Sequence, residues 1–325
     1  MTVDRLLSRR LLFVAGKGGV GRTTVAAVLG LSAAGRGLRT IVAGVGGRDE
    51  LPGLFGADPK RSGGGGEREL IPGLSSIAID PQAAMEEYLR DQLPIGPVAD
   101  LLSSSRTFGY LAAATPGLRE LLTVGKVWEL AQPARRVPGG EPYDLVVVDG
   151  PATGYGVGLL AAPRTFANVA RRGPISRHAA TIHASLVDRR MTGVVGVSRP
   201  DEAAVNELLE TGVRLRGDLG IELCGVIVNG VGRRRFAGRD RSRLRAALAD
   251  HPEPAVGRAL RLAVESDERE RIERAEVGRL AEGVGEDPVV LPFVTEEIDL
   301  DALIALSELL EAGGSTGHRA RGDRR

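Results

Sequence analysis

Gly16-Lys17-Gly18-Gly19-Val20-Gly21-Arg22-Thr23-Thr24 is the stretch on which the reading of this chain turns. The apolar run Leu11-Leu12-Phe13-Val14 before it predicts a buried strand, and Val25-Ala26-Ala27-Val28-Leu29 after it predicts a buried helix. A glycine-rich turn between a strand and a helix N-terminus makes a phosphate cradle. Backbone N–H groups converge there, and the helix dipole adds partial positive charge. Gly16, four residues, Gly21, a basic residue and Thr23 fit the P-loop spacing at every position but one. The exception is Arg22, where the pattern has lysine.

Outward from that turn, short apolar runs alternate with longer helical patterns, which predicts a mostly parallel, doubly wound α/β sheet with helices on both faces. The first helix is expected from about Gly21 to Ala34, with Gly35 and Gly37 ending it. Strands are expected at Thr40–Ala43, Leu74–Ile79, Tyr143–Asp149, Thr192–Val197, Leu223–Val228 and Val289–Leu291. Helices are expected at about Gly156–Leu160, Pro163–Ala170, Ser176–Asp188, Asp201 to Arg216, Arg243–Asp250, Pro254–Leu280 and Leu300–Glu311. Residues 82–135 have a helical pattern broken at Pro94, Pro97 and Pro116, which predicts a helical insert. Residues 1–312 read as one P-loop domain carrying that insert, Gly63–Gly66 as a low-complexity loop, and residues 313–325 as a disordered basic tail.

The chain has 325 residues and a formal net charge of +1, a balance that does not point to nucleic acid. Cys224 is the single cysteine, so an internal disulfide is excluded and a reducing, cytoplasmic setting is expected. No apolar run reaches the roughly 18–20 residues of a membrane span. Met1 to Arg10 reads as too polar for a signal peptide. Of the 43 basic residues only Lys17, Lys60 and Lys126 are lysine, so arginine at position 22 matches a chain-wide bias.

Asp149 ends an apolar strand and precedes Gly150-Pro151-Ala152-Thr153-Gly154. An acid there is placed to hold Mg²⁺ opposite the Thr23 hydroxyl. Lys17 makes the loop the deviant form of the P-loop. Together with Asp149–Gly154, Leu159-Leu160, Pro163 and Ala170–Ile175, it resembles the arsenite-pump and tail-anchored-protein-targeting ATPases. Asp201-Glu202 with Val205-Asn206-Glu207, Val226–Asn229, and Leu291-Pro292-Phe293 with Glu296 or Glu297 look like further segments of that family. The resemblance implies an ATP- and Mg²⁺-dependent dimeric switch. Gly16, Lys17, Gly18, Gly19, Val20, Gly21, Arg22, Thr23 and Thr24 would hold the phosphates, and Thr23 and Asp149 the metal. Asn229 would read the adenine, and Pro292 and Phe293 would cover it. Lys17, acting across the dimer, would join Arg22 and Asp149 in catalysis.

The departures from that family are concrete. Arginine replaces the phosphate-binding lysine at position 22, no acid stands near Val45 where the first switch should carry one, Asp49 comes about four residues late, and Tyr155 stands where histidine is usual. These favour an alternative, a degenerate ATP-binding subunit that hydrolyses little and regulates a homologous partner. The dimer could therefore be a homodimer or a heterodimer. A single cysteine does not suit arsenite binding, and the Cys-x-x-Cys pair of the zinc-bridged targeting dimers is absent. A protein client is possible, and membrane contact is expected to be at most indirect. Leu101, Leu102, Leu111, Leu118, Leu121, Leu122 and Trp128 are read as the insert's own core rather than a client groove. Arg233–Arg235, Arg239, Arg241, Arg243 and Arg245 are read as a solvated face, and His178 and His183 as surface or core residues.

Overall fold

The computed structural model describes residues 2–46, 50–57, 66–92, 115–135, 140–150, 153–169, 174–250 and 254–313. In chain order they form α1 (Val3–Leu7), β1 (Leu11–Gly16), α2 (Arg22–Gly35), β2 (Thr40–Val45), α3 (Leu51–Leu54), β3 (Arg68–Ile71), β4 (Leu74–Ile79), α4 (Pro81–Gln92), α5 (Leu118–Leu130) and β5 (Leu145–Asp149). There follow α6 (Thr153–Val169), α7 (Pro174–Val187), β6 (Thr192–Ser198), α8 (Glu202–Arg214, with a π turn to Leu219), β7 (Leu223–Val231), α9 (Gly238–Asp250), α10 (Pro254–Val284), β8 (Val289–Pro292) and α11 (Leu300–Glu311).

The strands form one sheet in the order β3-β4-β2-β5-β1-β6-β7-β8. Every neighbouring pair is parallel except β3 with β4. Side chains of a strand alternate between faces. Leu12, Val14, Val42, Leu145 and Val147 therefore enter the core under α2 and α11, while Leu11, Phe13, Ile41, Val146 and Val148 enter the core under α5, α6 and α7. The P-loop helix α2 is buried from Val25 to Ala33. Fully burying Val25, Val28 and Leu29 contributes roughly 1.5–3 kcal/mol each. Gly30 lets this helix lie close on the sheet, because a Cβ there would stand 2.9 Å from Leu74 and Val42. The P-loop is thus anchored on both sides, by a central strand and by a buried helix.

Several expectations are corrected. The N-terminal segment carries a helix, α1, whose Val3, Leu6 and Leu7 are buried. Apolar positions at i, i+3 and i+4 suffice for one packed turn even in a polar stretch. Pro163 does not divide two helices but lies inside α6. A proline removes one helical hydrogen bond, and here the buried Leu159, Leu160 and Ala162 around it hold the helix together. The strand β7 does not stop at Asn229 but continues to Val231, with Gly230 at φ +76° and a register shift against β8. The short antiparallel edge strand β3 had no signal of its own. Asp201 caps α8 as expected, its carboxylate accepting from the Ala204 N–H at 2.9 Å.

Of the insert, α4 and α5 are described. Leu121, Val124, Val127 and Leu130 of α5 belong to the main core on that face, with Trp128 packed against them. The Trp128 indole donates to Ser185 Oγ at 3.0 Å, and its ring meets His178 edge-on at 5.2 Å. A buried ionic network fastens the insert to the sheet edge. Lys126 contacts Glu87 at 2.8 Å and Glu129 at 3.0 Å, the fully buried Arg135 contacts Glu129 at 2.9 Å and also Glu67, and the Tyr143 hydroxyl donates to Glu67 at 2.7 Å. Burial alone would raise the Glu67 carboxyl, but hydrogen bonds from Arg135 and Tyr143 outweigh it and hold it below the usual range. Leu101, Leu102, Leu111, Pro94 and Pro97 lie outside the described residues, as do Gly63–Gly65 and residues 314–325. No helix among the described residues is long and apolar enough to cross a membrane.

Candidate functional site

In a parallel sheet the strand C-termini share one edge, and ligands bind in the crevice outside it. There β1 runs straight into the loop 16–21. Gly19 (φ +82°) and Gly21 (φ +87°) take left-handed backbone conformations that side chains disfavour. Gly18 and Gly19 face open space, with no atom within 4 Å of where a Cβ would stand. Gly16 is the opposite case, since a Cβ there would fall 2.3 Å from the Val197 carbonyl oxygen of β6. Gly16→Ala is therefore expected to lower stability by about 2–3 kcal/mol, whereas Gly18→Ala should change it by less than about 0.5 kcal/mol, both read from thermal unfolding.

Three side-chain links close the loop against its neighbours. The Thr23 hydroxyl donates to Asp149 Oδ2 at 2.7 Å. Arg22 Nη1 donates to the Gly150 carbonyl oxygen at 2.6 Å. Asn229 Nδ2 donates to the Val20 carbonyl oxygen at 3.0 Å. The pairings Val14↔Asp149 and Gly44↔Asp149 set the carboxylate between β1 and β2. Gly150 passes so near β1 that a Cβ would lie 2.8 Å from the Val14 carbonyl oxygen. Asn229 stands where a Cβ on Gly21 would come within 2.2 Å of its amide nitrogen. This tie between β7 and the P-loop was not legible as such in the sequence, because the residues are far apart in the chain.

The electrostatics suit a cation beside an anion cradle. Burial pushes the Asp149 carboxyl up; the Thr23 hydroxyl and the Arg22 charge partly offset this, and the charge of Glu50 adds to it. Burial likewise lowers the Arg22 pKa against the attraction of Asp149 and Glu207. A partly buried carboxylate beside a hydroxyl is the oxygen donor set that Mg²⁺ takes, usually with several waters retained. The open glycine face at the N-terminus of α2 suits phosphate. The residues present therefore fit both groups.

Lys17 is half-buried and makes no hydrogen bond or ion pair among the described residues. Thr24 follows Thr23 in the first turn of α2. Pro292 ends β8, and Phe293 is 52% exposed with its N–H donating to the Val231 carbonyl oxygen at 2.9 Å. The structure thus brings the 16–24 loop, Asp149 and Asn229 into direct contact and places Phe293 one strand away. Glu50 and Glu207 are charges that the sequence did not assign to this place, because their nearness depends on how the loop after β2 and the helix α8 pack. Arg48 and Asp49, Pro151 and Ala152, the Tyr155 side chain and Ala170–Gly173 lie outside what is described.

Other candidates fall elsewhere. Cys224 is buried and its thiol is pushed up to about 11 by burial. Arg241 pairs with Asp267 at 2.8 Å and Arg245 with Glu268 at 3.4 Å, so part of the basic run serves to fasten α9 to α10. His178 packs between Tyr88 and Trp128.

A model of a family described as anion-transporting ATPase matches residues 9–177 of this chain. The chain is 27% identical over 334 residues to the ATPase BagA of Mycobacterium tuberculosis, covering 96% of this chain and 95% of that one. It is 27% identical over 212 residues to the ATPase get3 of Schizosaccharomyces japonicus, covering 62% of this chain and 58% of that one. Against the ATPase ARSA1 of Chlamydomonas reinhardtii it is 26% identical over 234 residues, covering 64% of this chain and 29% of that one.

Proposed function

Because the chain belongs to the anion-transporting ATPase family, we propose that it binds ATP with Mg²⁺ and acts as a nucleotide-driven dimeric switch. The observation that carries this reading is the 2.7 Å hydrogen bond from the Thr23 hydroxyl to Asp149, which joins the P-loop helix to the end of β5. In this reading Gly16 to Thr24 hold the phosphates through backbone amides, and Thr23 and Asp149 hold the metal. Bound Mg²⁺ neutralises charge on the β- and γ-phosphates. Asn229, Pro292 and Phe293 take the base. Lys17, without an ionic partner among the described residues, is available to a nucleotide on a second subunit, which supports a dimer. Residues 1–312 make one ATPase domain with the insert at about 82–135, cytoplasmic in setting, with a protein client possible and no role for nucleic acid.

A second reading is a subunit that binds ATP, hydrolyses little and regulates a homologous partner. The observation favouring it is that the Arg22 guanidinium is spent on the Gly150 carbonyl oxygen rather than left facing the cradle. Equilibrium Mg²⁺–ATP binding and single-turnover hydrolysis on the purified chain separate the two. Binding with Mg²⁺-dependent turnover is the expected result. Binding without turnover selects the regulatory subunit, and no binding overturns both.

A further inference from the structure

Arg199 lies in the turn after β6, on the sheet edge that carries the P-loop. The register places Val197 beside Gly16 and Ser198 beside Val228. Its side chain is exposed and makes no hydrogen bond or ion pair among the described residues. Gly230, with φ +76°, has bare backbone toward it. A Cβ at Gly230 would stand 3.7 Å from Arg199 Nη2 and 3.8 Å from Cζ, and equally 3.7 Å from Cδ2 of the Phe293 ring. A flat cation and a half-exposed aromatic ring therefore meet over the same glycine. The residue before it, Asn229, has its amide orientation set by donation to Val20, which presents Oδ1 as an acceptor.

The geometry points to Arg199 as a base-stacking residue that, opposite Phe293, clamps the purine ring of the nucleotide. This deepens the proposed function and rests on it. Arginine is suited to the task because its guanidinium is planar and weakly hydrated and stacks on π faces, whereas lysine offers a compact, strongly hydrated point charge. Any base presents a π face to such a pair. Selection among bases falls to Asn229, whose free acceptor suits the exocyclic amino group of adenine and opposes the carbonyl oxygen of guanine. Gly230 suits this place because its φ of +76° is a left-handed conformation that side chains disfavour. The signal in the sequence is weak, a lone arginine between a strand and Pro200. It acquires meaning only when parallel strand ends are brought to one edge.

The test compares wild type with Arg199→Ala, Arg199→Lys and Phe293→Ala in equilibrium binding of Mg²⁺–ATP and of Mg²⁺–tripolyphosphate, which carries the phosphates without the base. The expected result is that each variant weakens ATP binding by about tenfold while leaving tripolyphosphate binding within twofold of wild type. Unchanged thermal midpoints are expected for variants of exposed side chains. Equal losses for ATP and tripolyphosphate in Arg199→Ala, with Arg199→Lys at wild-type affinity, would make Arg199 a phosphate-attracting charge and overturn the clamp. Wild-type ATP affinity in Arg199→Ala would also overturn it. A wild-type chain that binds tripolyphosphate but shows no added affinity for ATP removes the base site while leaving the phosphate site standing. Failure to bind either ligand would remove the proposed function itself.

Discussion

Asp149→Asn is expected to lower single-turnover ATP hydrolysis by about 10²–10³-fold and to remove most of the Mg²⁺ dependence of ATP binding. The carboxylate is the only ionised oxygen donor that the structure sets against the Thr23 hydroxyl among the described residues. Asparagine keeps the shape and can still accept the Thr23 hydrogen bond, so the substitution removes charge and little else. Stability should not fall with activity. Burial raises the folded pKa of Asp149, with the Glu50 charge adding to it, and Thr23 and Arg22 only partly offset this. A carboxyl raised in the folded state costs stability as the pH climbs from its ordinary value of 3.8 through the raised one, and that cost persists at neutral pH. Neutralising it relieves that cost. The apo thermal midpoint of Asp149→Asn at pH 7 should therefore equal or exceed that of wild type, and the difference should vanish toward pH 3. A variant that is as stable as wild type and hydrolyses ATP at the wild-type rate would remove Asp149 from the metal site.

Arg22→Ala is expected to weaken ATP binding by about 10–100-fold, and Arg22→Lys by less than about threefold. A hydrogen bond to a charged group contributes about 1.5–3 kcal/mol, and each 1.4 kcal/mol is a factor of ten. The guanidinium donates to the Gly150 carbonyl oxygen at 2.6 Å, in the turn directly after Asp149. A γ-phosphate entering the cradle would compete with that carbonyl for the same cation. Burial already disfavours the charged form of Arg22, so an added anion is welcome there. Lysine keeps the charge but reaches less far and cannot fork. The lysine variant should therefore bind ATP well while losing the tie to Gly150. Limited proteolysis or hydrogen exchange across 150–156 in the apo protein would register that loss. Wild-type ATP affinity in Arg22→Ala would reduce Arg22 to a strut between the P-loop and the turn at 150.

Much of this is legible in the sequence alone. The run Tyr143–Asp149 reads as a central strand because both faces of a parallel strand are buried, and its Leu145–Asp149 part sits in the middle of the sheet. The loop at 16–21 is readable because its glycines meet local backbone demands, namely the left-handed conformations at Gly19 and Gly21. Thr23 opposite Asp149 follows from the spacing of the motif together with the parallel order of strands. The helix α1 was missed because its three buried side chains lie on one turn among charges, too short for periodicity to register. Pro163 misled because its local cost is real, but the packing around α6 exceeds it. The end of β7 was placed too early because no local pattern signals the pairing with β8 that carries the strand on to Val231.

By itself the sequence determined the elements whose causes are local. Those are an apolar strand, a glycine turn, a helix that starts on that turn, and a second strand ending in an acid. Period and spacing act within a few residues of one another, so they survive without knowledge of the rest of the chain. Only the tertiary structure decided what Arg22 holds, that Asn229 grips the P-loop through Val20, that Glu50 and Glu207 colour the charge of the site, and that Arg199 and Phe293 share one glycine. Each of these joins residues distant in the chain across a sheet edge. Distances of a few ångströms across that edge are set by strand order and register, and no local pattern encodes them.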